Sequence, residues 1–210
     1  MRVVIMEIER INTYSDDRFS QDVLLEHGAF LVDGYRPCSF KIQDECSAMV
    51  FFDDYSIIIQ IIEEFRFYAE HITVFYDTTG AKIAELPPIH ANTLSIDRIQ
   101  PSQFYVDSDK VQAISTFVTV ERDIIIPVVY DKRIDKYVSL DGHTRLYYAY
   151  TKGWHSVRVF ESHSDDDIFF FVDEARQRGI FSPKELSILS HKEYVQKWDK
   201  FCDDYFAKKV

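Results

Sequence analysis

Apolar residues recur along this chain in two rhythms, and the switches between them outline its elements. Through residues 1–90 short runs at 29–32, 39–42 and 48–52 read as strands, separated by turn residues such as Asp33-Gly34 and Asp44-Glu45. The opening 1–11 also reads as a strand, its apolar residues interrupted by Arg2, Glu7, Glu9 and Arg10. From 55 to 71 the spacing changes to three and four: Ile58, Ile61, Ile62, Phe65 and Tyr68 share a face, which predicts a helix. A further strand at 72–76 ends in Asp77-Thr78-Thr79-Gly80. The order β-β-β-α-β describes a small α+β domain over 1–88, closed by Leu86-Pro87-Pro88 as a linker.

Beyond the prolines, 93–99 reads as a strand, followed by a Pro101-Ser102 turn. Asp107 or Ser108 then caps a helix reaching about Thr119, with Val111, Ile114, Phe117 and Val118 on one face. Strands are predicted at 124–130 and 137–140, the second running directly into Asp141-Gly142-His143-Thr144-Arg145. A short helix over 146–152 stops at Gly153, and 156–160 returns as a strand. This central domain covers 89–161. A helical extension over 162–210, expected to dock on the central domain with Trp198 and Phe201 buried, carries three start signals: Ser164 before three aspartates, Ser182-Pro183-Lys184-Glu185, and Ser190 with Glu193. The final helix is expected from 191 to 206.

Composition narrows the class. With 46% hydrophobic residues and only 6 Gly and 6 Pro, collagen-like and disordered chains are excluded. The longest apolar stretches are far shorter than the roughly 20 residues that span a bilayer, so no membrane helix is expected. Cys38, Cys46 and Cys202 form neither a disulfide framework nor a CxxC element, which fits a reducing cytoplasm. The net charge of −11 disfavours nucleic acid as a partner. It is unevenly spread: 1–90 carries −9, 91–160 carries +1 and 161–210 carries −3. An anionic ligand is least repelled by the middle segment.

Within that segment, 141–145 places an acid, a permissive glycine, an imidazole, a hydroxyl and a guanidinium where a strand meets a helix start. Free N–H groups there favour a phosphate on Gly142, His143, Thr144 and Arg145, with Arg145 as its clamp. Asp141 stands beside it, able to hold Mg²⁺ or orient a hydroxyl. A plain structural turn, with Thr144 as a cap and Arg145 on a surface acid, uses the same residues. The run Asp165-Asp166-Asp167 is read as a solvated helix start, since consecutive residues do not share a helix face.

The stretch 94–160 resembles the ParB/sulfiredoxin fold: strand, helix, the strands around Ile125-Ile126-Pro127-Val128-Val129 and Val138-Ser139-Leu140, the DGHTR turn, its helix, Lys152-Gly153 and a last strand. The likeness covers about a third of the chain. It implies a mixed α/β central domain flanked by the small α+β domain and the helical extension. Sulfiredoxins carry a catalytic cysteine in this turn, where none of the three cysteines lies. Partition proteins of the ParB type use an arginine-rich turn for CTP and a following helix-turn-helix for DNA. This chain has one arginine there and an acidic helical region after it. Free serine kinases are the most similar, with an aspartate-glycine-histidine-histidine-arginine turn; Thr144 stands at the second histidine. Their base is a glutamate at the start of the preceding helix, where the nearest acid is Asp107. That likeness implies a Mg²⁺-dependent phosphotransferase using ATP or ADP on a small hydroxyl-bearing molecule, with Asp107 and Asp141 as the catalytic carboxylates. The alternative is a non-catalytic ParB-like module that binds nucleotide or a partner. For residues 1–88 a lid over the pocket and a protein-binding module are equal readings.

Overall fold

In a computed structural model that describes residues 6–209, the chain is mixed α/β and divides into two compact units, Met1–Ile89 and His90–Val210. The division falls one residue after Pro87-Pro88.

The first unit runs β1 (Ile8–Arg10), α1 (Gln21–Leu25), β2 (Ala29–Val32), β3 (Arg36–Ile42), β4 (Ser47–Phe51), α2 (Ile58–Tyr68), β5 (Val74–Tyr76) and β6 (Lys82–Glu85). Residues 1–5 of the predicted first strand lie outside the described residues. The six strands pair in chain order; all neighbours are antiparallel except β4 and β5, which α2 connects in parallel. All four residues of β2 are buried. The reason is that each face meets a different core: Phe30 and Val32 join α2, while Ala29 and Leu31 join Val23 and Leu24 of α1. Burial on both faces removes the alternation that a half-exposed strand would show. The main core is aromatic, with Phe40 and Phe65 stacked at 4.3 Å and Phe30 and Phe75 edge-on to both.

The second unit runs β7 (Asn92–Ser95), β8 (Ile99–Pro101), β9 (Tyr105–Asp107), α3 (Ser108–Ile114), β10 (Ile125–Asp131), β11 (Lys136–Ser139), α4 (His143–Thr151), β12 (Ser156–Glu161), α5 (Asp167–Gln177), β13 (Ser187–Leu189), α6 (His191–Tyr194) and α7 (Lys200–Phe206), with a π-helical turn at Val195–Asp199 between the last two. Five strands form a mixed sheet in the order β7-β12-β10-β11-β8. Its centre, β10, sends Ile126 and Val128 into a core with Ile114, Val118, Leu146 and Ala149 from the α3 and α4 segments. The single strand predicted at 93–99 is instead two, β7 and β8, split by a 3₁₀ turn at Ile96–Arg98.

The extension after 162 is not purely helical. β13 pairs in parallel with β9, forming a two-stranded ribbon between segments about 80 residues apart. Ser164 does not start α5, which begins at Asp167. Ser182 and Ser190 do form capping boxes, with Glu185 and Glu193. Fully buried Gln100 ties the extension down: it donates to the Ile180 carbonyl at 2.8 Å and accepts from Arg176 at 3.1 Å. Trp198 and Phe201 pack half-buried on Phe104, at 4.9 and 5.1 Å between rings. Among the described residues, no helix is long and apolar enough to cross a membrane.

Phe65 stacks on one ring, meets two others edge-on and is fully buried. Phe65→Ala is therefore expected to destabilise the first unit by about 3–5 kcal/mol, seen as a lowered midpoint in denaturant unfolding.

Candidate functional site

The site is built where β11 ends and α4 begins. The Leu140 amide donates to the Pro127 carbonyl at 2.9 Å, the last bond tying this strand to β10. Gly142 then adopts φ 77°, ψ 20°, a left-handed conformation that turns the chain sharply into the helix. Space allows no side chain here either, since a Cβ would lie 2.4 Å from Ile126 Cδ1. The first helical bond runs from the Leu146 amide to the Gly142 carbonyl at 2.9 Å. The N–H groups of Gly142, His143, Thr144 and Arg145 therefore precede the helical ladder, and among the described residues none has an acceptor in the chain. Arg145 is half-buried and makes no hydrogen bond or ion pair among those residues. Thr144 is half-buried and Asp141 exposed.

His143 points the other way. It is buried, and its Nε2 accepts from the Ser102 amide at 3.2 Å, with the Ser102 and Ser139 hydroxyls each 3.1 Å away. An amide can only donate, so Nε2 is unprotonated and the ring is neutral. Burial holds its pKa down at about 4, against the opposing charge of Asp141 and a hydrogen bond at Ser139. The expectation that this imidazole binds phosphate is thus corrected: its nitrogen is spent inside the fold. Only the His143 backbone amide remains as a contributor to the turn.

Asp107 also departs from its expected role. It does cap α3, its Oδ1 accepting from the Asp109 amide at 2.9 Å. Its side chain is only 1% exposed, however, and its Oδ2 lies 2.7 Å from His191 Nδ1. Both oxygens are engaged, so Asp107 is not a free base facing a substrate. An ionised carboxylate accepts only, so Nδ1 carries the proton. Asp109 completes a group whose ligating atoms lie within 4.8 Å of one another. With the Nδ1 proton pointed at Asp107, that pair is a hydrogen bond and not a ligand pair.

The imidazole of His191 had no catalytic signal in the sequence, although the Ser190 and Glu193 capping box places it at a helix start. Nothing local marks Ser102 or Ser139 as partners of His143, because they reach it from other elements.

Comparison with known proteins adds little to this geometry. No family model matches the chain, and no curated protein does. Among solved structures, the chain is similar to the crystal structure of a protein from Agrobacterium tumefaciens, with 23% identity over 47% of this chain and a TM-score of 0.32. The match spans about half, 53%, of that protein's length.

Two outcomes follow from the turn. Gly142→Ala should cost on the order of 1–3 kcal/mol from the left-handed backbone and the Ile126 clash together. Adding Ile126→Val, which removes Cδ1, should recover part of the loss relative to Ile126→Val alone, measured in a double-mutant cycle by chemical denaturation. For His143, the unfolded ring titrates near 6.5 and the folded one near 4, so the unfolded chain binds the extra proton. Stability is then full above pH 6.5 and falls by on the order of 2–3 kcal/mol as pH drops toward 4. His143→Gln should flatten that window in thermal melts taken across it.

Proposed function

We propose that the second unit binds the phosphates of a nucleotide, ATP or ADP, on the turn of Gly142, His143, Thr144 and Arg145, and transfers a phosphoryl group to a small hydroxyl-bearing molecule. This is the reading that the ParB/sulfiredoxin-like order of elements around DGHTR suggests. The observation that carries it is the set of consecutive backbone N–H groups that, among the described residues, have no acceptor, beside an Arg145 that makes no ion pair with those residues. Amides ahead of the helical ladder, with the positive end of the helix dipole behind them, suit a phosphate, and a guanidinium adds a bidentate clamp. Residues 91–160 carry a net charge of +1, so the segment around the turn adds no repulsion of its own.

Asp141 fits the remaining requirement. It is exposed, its oxygens are hard donors, and its charge is felt by the adjacent His143. In this reading it holds Mg²⁺ together with the nucleotide phosphates. The ion supplies neutralisation of the charge that develops on the transferred group. Arg145 orients the phosphate and the amides hold it in line.

One observation favours the non-catalytic alternative: the aspartate expected as base has both oxygens occupied. That module would bind nucleotide without turnover, and Asp141→Asn would leave partner capture intact.

Titration of ATP, ADP and CTP with Mg²⁺ into the whole chain, followed by calorimetry, tests the reading. Binding is expected, with at least a tenfold loss in Arg145→Ala, about 1.4 kcal/mol or more. Absence of binding by the unaltered protein removes the proposal.

A further inference from the structure

The contact between Asp107 and His191 has a chemical form of its own. Asp107 ends β9 and caps α3, where its carboxylate is 1% exposed; His191 opens α6, and its side chain is 61% exposed. The two come together because β13 lies parallel to β9, Leu189 opposite Asp107, so that the residues after β13 turn over the buried carboxylate. Tyr194 reinforces the placement by accepting at its hydroxyl from Gln103 at 2.9 Å. The Oδ2 to Nδ1 distance of 2.7 Å fixes the ring and its tautomer. Nε2 is then the free nitrogen, with no partner among the described residues. A buried acid orienting an exposed imidazole through Nδ1 is the arrangement that makes histidine an effective base.

The pair also stands on the path that leads from the phosphate turn. Ser102 holds His143 at the start of α4, and Asp107 is five residues further along the same segment. Five extended residues reach at most about 18 Å, and β9, which Asp107 ends, packs against both α4 and α6.

We propose that His191, oriented by Asp107, is the general base of this unit: Nε2 takes the proton from the acceptor hydroxyl as its oxygen attacks the terminal phosphorus of the nucleotide. This rests on the phosphotransfer reading above. A bond forms from the acceptor oxygen to phosphorus and the bond from phosphorus to the bridging oxygen breaks. The shortened nucleotide leaves with that electron pair, and the imidazolium returns its proton to water. Asp107 is a positioning residue, since it touches only the ring and the helix start. That role explains why an acid at the position expected for a base is buried.

The charged groups facing the ring are Asp107 at the end of β9, Asp109 and Lys110 on α3, and Asp199 on the π-helical turn. The hydrogen bond to Asp107 and then its charge raise the His191 pKa against burial, with a lesser rise from Asp109 and a lesser fall from Lys110. Only the neutral ring accepts a proton, so the rate should climb with pH through an apparent pKa above the ordinary 6.5 of imidazole.

The test uses the full chain with Mg²⁺ and ATP or ADP, a panel of small alcohols and hydroxy amino acids as acceptors, and nucleotide binding measured in parallel. His191→Gln keeps a donor for the buried Asp107, and Asp107→Asn keeps the helix cap; unchanged circular dichroism confirms that both variants fold. Expected are a loss in kcat of about 100-fold in His191→Gln with nucleotide affinity unchanged, and disappearance of the alkaline-rising limb. In Asp107→Asn that limb should move to lower pH with a smaller loss. If nucleotide binds through Arg145 but His191→Gln keeps the full rate and pH profile, the base assignment is overturned while the turn's role stands. Binding without transfer to any acceptor overturns it as well, leaving the non-catalytic module. Failure of all nucleotides to bind overturns both readings.

Discussion

The second unit depends on a buried imidazole. His143 is the first residue of α4, yet its ring is sunk between the Ser102 turn and the end of β11, accepting a backbone amide and standing against two serine hydroxyls. A neutral ring in that position joins the start of α4 to two segments that are themselves linked by the pairing of β8 with β11 and by the Ser102 hydroxyl donating to the Ser139 carbonyl. It also decides which way the turn faces. The imidazole is directed inward, Gly142 takes a left-handed backbone, and the amides that follow lie ahead of the helical ladder as at any helix start. The polar group that most resembles a ligand-binding residue thereby acts as the anchor. Around it stand the backbone amides ahead of the helical ladder, Arg145 and Asp141.

A second buried polar group organises the far end of β9. Asp107 has the Asp109 amide on one oxygen and His191 on the other, so a carboxylate that is almost wholly removed from water keeps a partner on each oxygen. The cost of burying a charge is offset only if such partners are present. That requirement links the C-terminal segment to the start of α3. The β13 ribbon, the fully buried Gln100 and the aromatic contacts of Phe104 with Trp198 and Phe201 hold the same segment by independent means. The resulting unit contains one anchored turn and one anchored imidazole, both reached from the segment that leaves β8.

The elements with regular spacing were legible before any coordinates. The face of Ile58, Ile61, Ile62 and Phe65 is buried as its period demands, and the strands containing Ile126, Val128 and Val138 lie where their apolar runs place them. Gly153 has the positive φ of 72° that its position after a helix calls for. The capping boxes at Ser182 and Ser190 were equally plain, because both partners sit three residues apart. By contrast β9 and β13 have three residues each and no period long enough to detect. What makes them strands is each other, across about 80 residues.

The extension expected as a separate part from 162 belongs to the second unit, whereas local sequence carries the break after Pro87-Pro88, the type of most elements and the strand-to-helix turn at Gly142. These follow from interactions within a few residues: hydrophobic period, a glycine that permits a left-handed bend, and the missing acceptors at any helix start. Only the tertiary structure decided that His143 faces inward, that Asp107 is covered, and that His191 stands over it. Side-chain direction at those positions is set by partners brought in from distant strands. Burial converts each from an available group into a committed one. Residue type tells what a group is able to bond; the folded neighbourhood determines which of those bonds are already made.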